Sequence, residues 1–477
     1  MKVDEMSLQK KGEQGTMKGR EFTRRVFIFG SLAVAGCATT RPTRTRRISA
    51  NDKLNIAGIG VGGKGRGDIR NCSSENIVAL CDVDDKRAAE SYAAFPNAKR
   101  YRDYRRMLEK EKTVDAVVIS TPDHSHYPAA MIAMQLGKHV FVQKPLTHSV
   151  YEARRLAEAA REYNVITQMG NQGHAGDGVR ELCEILWSNT IGFVREAHIW
   201  TDRPLWLQGG QRPTGKDPVP DYLDWDLWLG PAPERPYVSK YPGTDKDCYC
   251  PWVWRGWWDF GCGALGDMGC HIMDPANWAL QLGAPSTVEC LKQEGNTEEM
   301  APTKSIIKYE FPARVFKENC PGTAWYGKTL PPVTVYWYDG GFVPPRPEGV
   351  SETEQLGEGA NGSYFVGERG VATTGCYGND TRLLPEAKNA DFEKPAPFLP
   401  RVPSGSPHAE WLYAIKEGTK PGSNFDYSGP MTEMVLLGNV AIRAGEKLEW
   451  NSATMSIPNA PNAEALLRRR PRRGWRV

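Results

Sequence analysis

Asp267 and His271 lie four residues apart, a spacing that puts a carboxylate and an imidazole on one face of a helical turn. Imidazole titrates near neutrality, so it is suited to take the hydroxyl proton when a carbinol carbon gives up a hydride. The carboxylate can orient the ring or favour its charged form. Lys144 is remote in sequence and follows the short apolar run HVFVQ at 139–143. An ammonium there can hold the reacting hydroxyl and stabilise developing alkoxide charge. Taken alone, Asp267 and His271 read more simply as a structural salt bridge. Lys144 and a nucleotide-binding fingerprint upstream turn the reading toward catalysis by Lys144, Asp267 and His271.

That fingerprint is Gly58-Ile59-Gly60-Val61-Gly62-Gly63-Lys64-Gly65. Two G-x-G-x-x-G registers fit. The preferred one uses Gly60, Gly62 and Gly65, with Gly63 in the same turn, because the preceding strand extends through Ile59. The glycines allow a tight turn and close approach of backbone to a pyrophosphate. The helix that follows offers free N–H groups and a positive partial charge. Asp82 closes the next apolar run, where an acid can bond a ribose 2′-OH. It favours NAD, while Arg66, Lys86 and Arg87 keep NADP open. Thr121, Pro122, His124 and His126 follow the fourth strand and are expected to border the nicotinamide ribose, although His126 could equally cap the next helix. Lys144 and Gln172 are also expected at the cofactor. Asn171 and His174 face either substrate or an interdomain hinge. The tract Trp252, Trp254, Trp257 and Trp258 could stack on a sugar ring or form core, with Trp254, Trp258 and Asp259 as the candidate rim.

These residues need elements to position them. Short apolar runs at 53–60, 77–81, 115–120, 139–143 and 165–169 alternate with helical patterns at 84–94, 128–136 and 150–163. Such alternation predicts a doubly wound, parallel Rossmann sheet over 51–170. From 171 to 455 the order changes. Strands at 194–200, 286–291, 304–311 and 333–338 stand apart from helices at 179–187, 271–282, 407–417 and 431–444, with long connections between. This suits an α+β domain with an open, mostly antiparallel sheet. Residues 456–477 form a basic tail.

Composition narrows the classes. The 477 residues carry 60 Lys/Arg and 57 Asp/Glu, and the small excess falls within residues 1–36. No nucleic-acid footprint remains. Thr23-Arg24-Arg25-Val26-Phe27 precedes an uncharged run to Cys37 that is too short to span a bilayer and suits a Tat signal core. Val34-Ala35-Gly36-Cys37 predicts a lipoprotein box with Cys37 lipidated; an ordinary cleavable signal is the alternative. Residues 1–36 are then a signal peptide and 37–50 a linker. The expected location is periplasmic, with a lipid anchor as the sole membrane contact. Eleven cysteines include a dense group, Cys248, Cys250, Cys262 and Cys270, whose spacing does not match paired CxxC ligands. No metal is expected.

In order along the chain, Gly60–Gly65, Asp82, Thr121-Pro122-Asp123-His124-Ser125-His126, Gln143-Lys144-Pro145 and Gly266-Asp267-Met268-Gly269-Cys270-His271 resemble the motifs of the Gfo/Idh/MocA oxidoreductases. The resemblance covers nearly all of the chain beyond the linker. It implies a Rossmann domain and an α/β domain whose open sheet lines the substrate cleft and often the interface of a homodimer or homotetramer. The family's usual Glu-Lys-Pro is Gln143-Lys144-Pro145 here, so any role of that Glu is absent. The family's Lys corresponds to Lys144, and its Asp-x-x-x-His to Asp267 and His271. The implied activity is NAD(P)-dependent oxidation of a CH–OH group in a sugar, polyol or glycoside. Two alternatives remain: an NAD-dependent glycosidase working by transient oxidation and elimination, and a non-catalytic carbohydrate-binding lipoprotein. The glycosidase branch carries a different motif where this chain has Gly170-Asn171-Gln172. Export to a compartment without a nicotinamide pool predicts a cofactor held tightly and recycled in place.

Overall fold

Apolar residues buried on both sides of short strands build the first layer. The computed structural model describes residues 52–477; the twin arginines, Cys37 and the linker lie outside them. Six parallel strands form one sheet: β1 (Asn55–Ile59), β2 (Asn76–Cys81), β3 (Lys99–Tyr101), β4 (Ala116–Ile119), β5 (His139–Val142) and β6 (Thr167–Met169). Their order is β3-β2-β1-β4-β5-β6. Helices α1 (Lys64–Arg70), α2 (Asp85–Ala94), α3 (Tyr104–Lys110), α4 (His126–Gln135) and α5 (Val150–Glu162) alternate with them. The chain reverses direction across the sheet between β1 and β4, the switch point where such sheets bind ligands. Register aligns Ile59 with both Cys81 and Ile119, Ile119 with Val142, and Val142 with Met169. Gly60, Asp82, Thr121, Lys144 and Asn171 therefore leave the sheet along one edge.

The second layer contains α6 (Asp177–Trp187), β7 (Val194–Trp200), the short α7 (Trp225–Leu229), α8 (Gly263–Leu280), β8 (Thr287–Glu294) and β9 (Lys304–Phe311). A two-stranded ribbon, β10 (Arg314–Val315) and β11 (Thr329–Leu330), comes next. The layer continues with β12 (Val333–Tyr338), β13 (Gly362–Gly367), β14 (Val371–Thr374) and β15 (Arg382–Leu384); α9 (Pro407–Glu417) then returns to the first sheet, with Trp411 on Phe141 of β5, before α10 (Phe425–Ala444) and β16 (Leu448–Glu449). Its eight strands run β15-β14-β13-β7-β12-β9-β8-β16, all antiparallel except the β7–β12 pair. The mostly antiparallel expectation holds.

One apolar cluster joins the layers, with Val140 and Met169 from the first and Ile199, Ile272 and Met434 from the second. The basic tail is docked. Arg469 pairs with Glu152 at 2.7 Å, and Trp475 sits under the Arg105 guanidinium. Among the described residues no helix is long and apolar enough to cross a membrane. None of their His, Cys, Asp and Glu side chains gather into a group of three that could hold a metal.

Candidate active site

The first turn after β1 is shaped for close backbone approach. Gly60 has φ +74°, and a Cβ there would lie 2.8 Å from the backbone of Ser120 and Thr121. A Cβ on Gly65 would lie 1.8 Å from the Gly60 carbonyl, so helix α1 can meet the turn only without one. The register beginning at Gly60 is thereby the one the fold uses. Gly63 caps α1 with a backbone angle of +55°. At the end of β2, Asp82 accepts the Gly62 N–H at 3.0 Å and the Asp84 N–H at 3.0 Å. Burial raises its carboxyl to about 6 despite those bonds. A bare loop, an acid beside it and a helix N-terminus fit a dinucleotide. An anionic carboxylate at that position opposes a 2′-phosphate. Of the cations that kept NADP open, Arg66 pairs with Glu90 and Lys86 lies over the Tyr222 ring, leaving Arg87 beside Gly63. Thr121 Oγ1 is buried without a partner at the same edge.

The catalytic candidates converge two residues beyond β5. Lys144 Nζ donates to the Asp267 carbonyl at 2.5 Å and to its carboxylate at 3.0 Å. Asp267 and His271 occupy successive turns of α8, which begins two turns earlier than its sequence pattern implied. Gly263, Gly266 and Gly269 weaken that pattern locally, but a Cβ on Gly269 would press within 3.0 Å of Val435 on α10. Tertiary packing sets the helix there, not propensity.

The expected Asp267–His271 pair does not form. The carboxylate is engaged by two cations instead, Lys144 and Arg255, whose Nε donates to it at 3.0 Å. They hold its pKa far below the usual range against the opposing push of burial. His271 is buried, its Nδ1 has no partner, and its ring meets Tyr377 edge-on at 5.2 Å. Burial first, then the Lys144 charge, drives its pKa well below 6.5. The imidazole is neutral at working pH, and its Nδ1 is enclosed without a partner.

Several sequence candidates are engaged in contacts within the fold. The rings of His124 and His126 are enclosed, with both nitrogens of each against backbone carbonyls: Phe260 and Trp228 for the first, Pro145 and Thr121 for the second. They brace the loops around the cleft. His174 bonds Asp274 at 3.1 Å and stacks on Trp278. Asn171 is buried; its Oδ1 accepts from Ser423, and its Nδ2 has no partner. Trp258 is core, donating to the Thr297 carbonyl. Asp259 is neutralised by Arg235. Trp254 is half-buried beside Arg255, and Gln172 is exposed with its amide 3.3 Å from the Tyr377 hydroxyl.

Three residues of the centre escaped the sequence reading. Arg255 is a single basic residue inside an aromatic tract, and Tyr377 lies in the turn between β14 and β15, far along the chain. Asp123 stands in the Thr121–His126 segment, where its histidines drew the attention. It accepts the Cys262 N–H at 3.1 Å, and burial raises its pKa to about 7. The unusual Gln143 also finds its reason. Its amide donates to Asp68 at 2.9 Å, a buried carboxylate that also receives Ser120, Lys64 and His408. Glutamate at 143 would set two carboxylates against each other.

Residues 54–171 match a family profile described as "Oxidoreductase family, NAD-binding Rossmann fold", and residues 194–314 match its C-terminal alpha/beta domain. The chain belongs to the Gfo/Idh/MocA oxidoreductase family. Within that family it is similar to an inositol 2-dehydrogenase of Serratia proteamaculans, 32% identical over 144 residues, covering 29% of this chain and 43% of that protein. It is also similar to glycosyl hydrolase family 109 protein 2 of Shewanella sp. (strain ANA-3), 31% identical over 169 residues, covering 29% of this chain and 37% of that protein. The chain thus spans less than half the length of these relatives. The WlbA dehydrogenase from Bordetella pertussis, solved with NADH and UDP-GlcNAcA, shares the fold at TM-score 0.54 and 15% identity, covering 84% of this chain and 99% of that one.

The buried histidines of this family member have a consequence for acid stability. Burial holds His124 near 3, His126 and His139 near 4, and His148 and His271 well below 6.5. Between pH 4.5 and 6 the unfolded chain protonates these groups and the native state does not. Asp82, Asp123 and Asp339 oppose them, because burial raises their pKa to about 6, 7 and 7 and the native state takes up protons there. With His198 lowered too, the histidines outnumber these carboxyls, so the unfolded state binds more protons and stability should rise with pH across this window and flatten above 6.5. Urea midpoints at pH 4.5, 5.5 and 6.5 read this directly; a slope of zero or of opposite sign would refute it.

Proposed function

We propose that this protein is an NAD-dependent oxidoreductase acting on a CH–OH group of a sugar, polyol or glycoside. The observation that carries the reading is Lys144, an ammonium from the β5 edge fixed against Asp267, with the neutral His271 one helical turn further on. Two of the three Lys144 donors are used by Asp267, leaving one for a substrate hydroxyl. Asp267 fixes the ammonium in place, and the neutral His271 imidazole accepts the hydroxyl proton. Gly60, Gly62, Gly65, Asp82 and Thr121 would hold NAD, which supplies the hydride acceptor when bound. Arg255 screens the carboxylate, so the centre keeps a net positive charge where alkoxide develops.

The likeness to a family 109 glycosyl hydrolase supports a second reading: transient oxidation, elimination of a glycosidic substituent and return of the hydride. One experiment separates the two. Incubating the protein with a panel of sugars, polyols and aryl glycosides, net oxidation gives lasting absorbance at the reduced-nicotinamide band. Hydrolysis gives free aglycone with none. If neither appears with any compound, the carbohydrate-binding reading gains.

We further propose that the chain is exported folded, on the strength of Arg24, Arg25 and Cys37, and carries its cofactor with it. Protein purified without added nicotinamide and then denatured should release NAD(H) in near-stoichiometric amount. Release of only traces would refute retention.

A further inference from the structure

The aromatic tract beside the centre holds one residue out of place for packing. Trp252 is 53% exposed, whereas Trp257 and Trp258 of the same tract are core. Its backbone sits at φ 74°, ψ −49°. The Val253 N–H donates across it to the Pro251 carbonyl at 2.8 Å, closing a three-residue turn of the rare, strained hand. A bulky residue held in that conformation and then left half in water gains little burial to offset the strain. Such strain persists where surrounding structure enforces it, and it collects at ligand sites.

Here the enforcing group is Arg255. Its Nη1 donates to the Trp252 carbonyl at 3.1 Å, and its guanidinium lies 4.1 Å from the centre of the Trp252 ring. The same guanidinium donates through Nε to Asp267. Trp206 meets the indole edge-on at 6.1 Å. Arg255 covers one face of the indole, and half of the side chain stays open to solvent. A single arginine therefore ties a flat, open aromatic surface to the carboxylate that fixes Lys144.

We infer that Trp252 is a stacking platform for a second pyranose ring, so that the ligand is a glycoside of at least two sugar units rather than a free monosaccharide. The axial C–H groups of a pyranose carry slight positive charge and match the negative face of an indole, a face whose electron density the ring keeps available to solvent. The reacting ring lies at Lys144 and His271; the next ring covers Trp252. The inference rests on the proposed oxidoreductase reading for where the reacting ring sits, and its test has an arm that does not need turnover.

The full chain is mixed with cellobiose, maltose or lactose, and saturation-transfer NMR follows which sugar protons receive magnetisation. Transfer to one ring's axial protons that is lost in Trp252→Ala and largely kept in Trp252→Phe supports the platform. Absence of transfer with all three disaccharides, or transfer unchanged in Trp252→Ala, overturns it. In the kinetic arm, the preference in kcat/KM for the bound disaccharide over glucose should fall about five- to tenfold in Trp252→Ala. A loss shared equally by glucose also overturns it. If transfer is intact but no sugar changes the nicotinamide absorbance, the platform stands and the oxidoreductase reading falls.

Discussion

Lys144→Met should lower kcat/KM by about a thousandfold, ~4 kcal/mol of transition-state stabilisation, while the protein still retains NAD. Methionine keeps the length and the apolar stem of the side chain, so the edge of the sheet beyond β5 stays filled. What disappears is the ammonium that Asp267 fixes through a carbonyl and a carboxylate. No other cation replaces it. Arg255 reaches the same carboxylate but is held over the Trp252 and Trp254 rings. His271 keeps its position and loses one of the charges that depress its pKa, so proton acceptance alone survives. The measurements are nicotinamide absorbance under turnover and NAD content after denaturation. Turnover within tenfold of the native protein would make the Lys144–Asp267 pair a structural salt bridge and move the chemistry to other groups.

The parts of this centre that were legible in the sequence are those tied to local geometry. Gly60, Gly62, Gly65 and Asp82 sit in one strand–turn–helix–strand unit whose apolar periods and glycines are visible over some thirty residues. Lys144 is placed by the end of an apolar strand, and Asp267 and His271 by helical spacing. The partners of those side chains were not legible, because charge pairs form across the fold. Asp267 faces Lys144 and Arg255 rather than the imidazole four residues along, since two cations compensate a buried carboxylate better than a neutral ring does. His124 and His126 misled for a related reason. A histidine in a loop after a parallel strand has the composition of a site, yet the carbonyls of Trp228, Phe260 and Pro145 enclose these two. Strands β13, β14 and β15 went unseen because short segments bounded by glycines acquire their conformation by pairing, β13 with β7 more than 160 residues earlier. Tyr377 hangs from that hairpin and came into the centre only with it. Trp252 was visible as one of several tryptophans; its backbone and exposure single it out.

Asp267→Asn should be more disruptive to the fold than Lys144→Met, and the comparison divides structural from chemical roles. The methionine variant leaves the carboxylate paired with Arg255 at 3.0 Å. The asparagine variant leaves two cations, Lys144 and Arg255, converging on a neutral amide in a largely buried space, at a cost of about 3 kcal/mol. Turnover should fall as well, by about a hundredfold or more, because the ammonium loses the anion that fixes it and His271 loses the charge that raises its basicity. Combining the substitutions removes one of the two unpaired cations, so the double variant should be more stable in urea than Asp267→Asn alone. Its activity should nevertheless stay at the level of Lys144→Met. A salt bridge that merely braces the cleft predicts otherwise: restoring charge balance would restore turnover together with stability. Recovery of both in the double variant would take the chemistry away from Lys144. Recovery of stability alone leaves the ammonium as the group that acts on the substrate, with Asp267 as the residue that positions it.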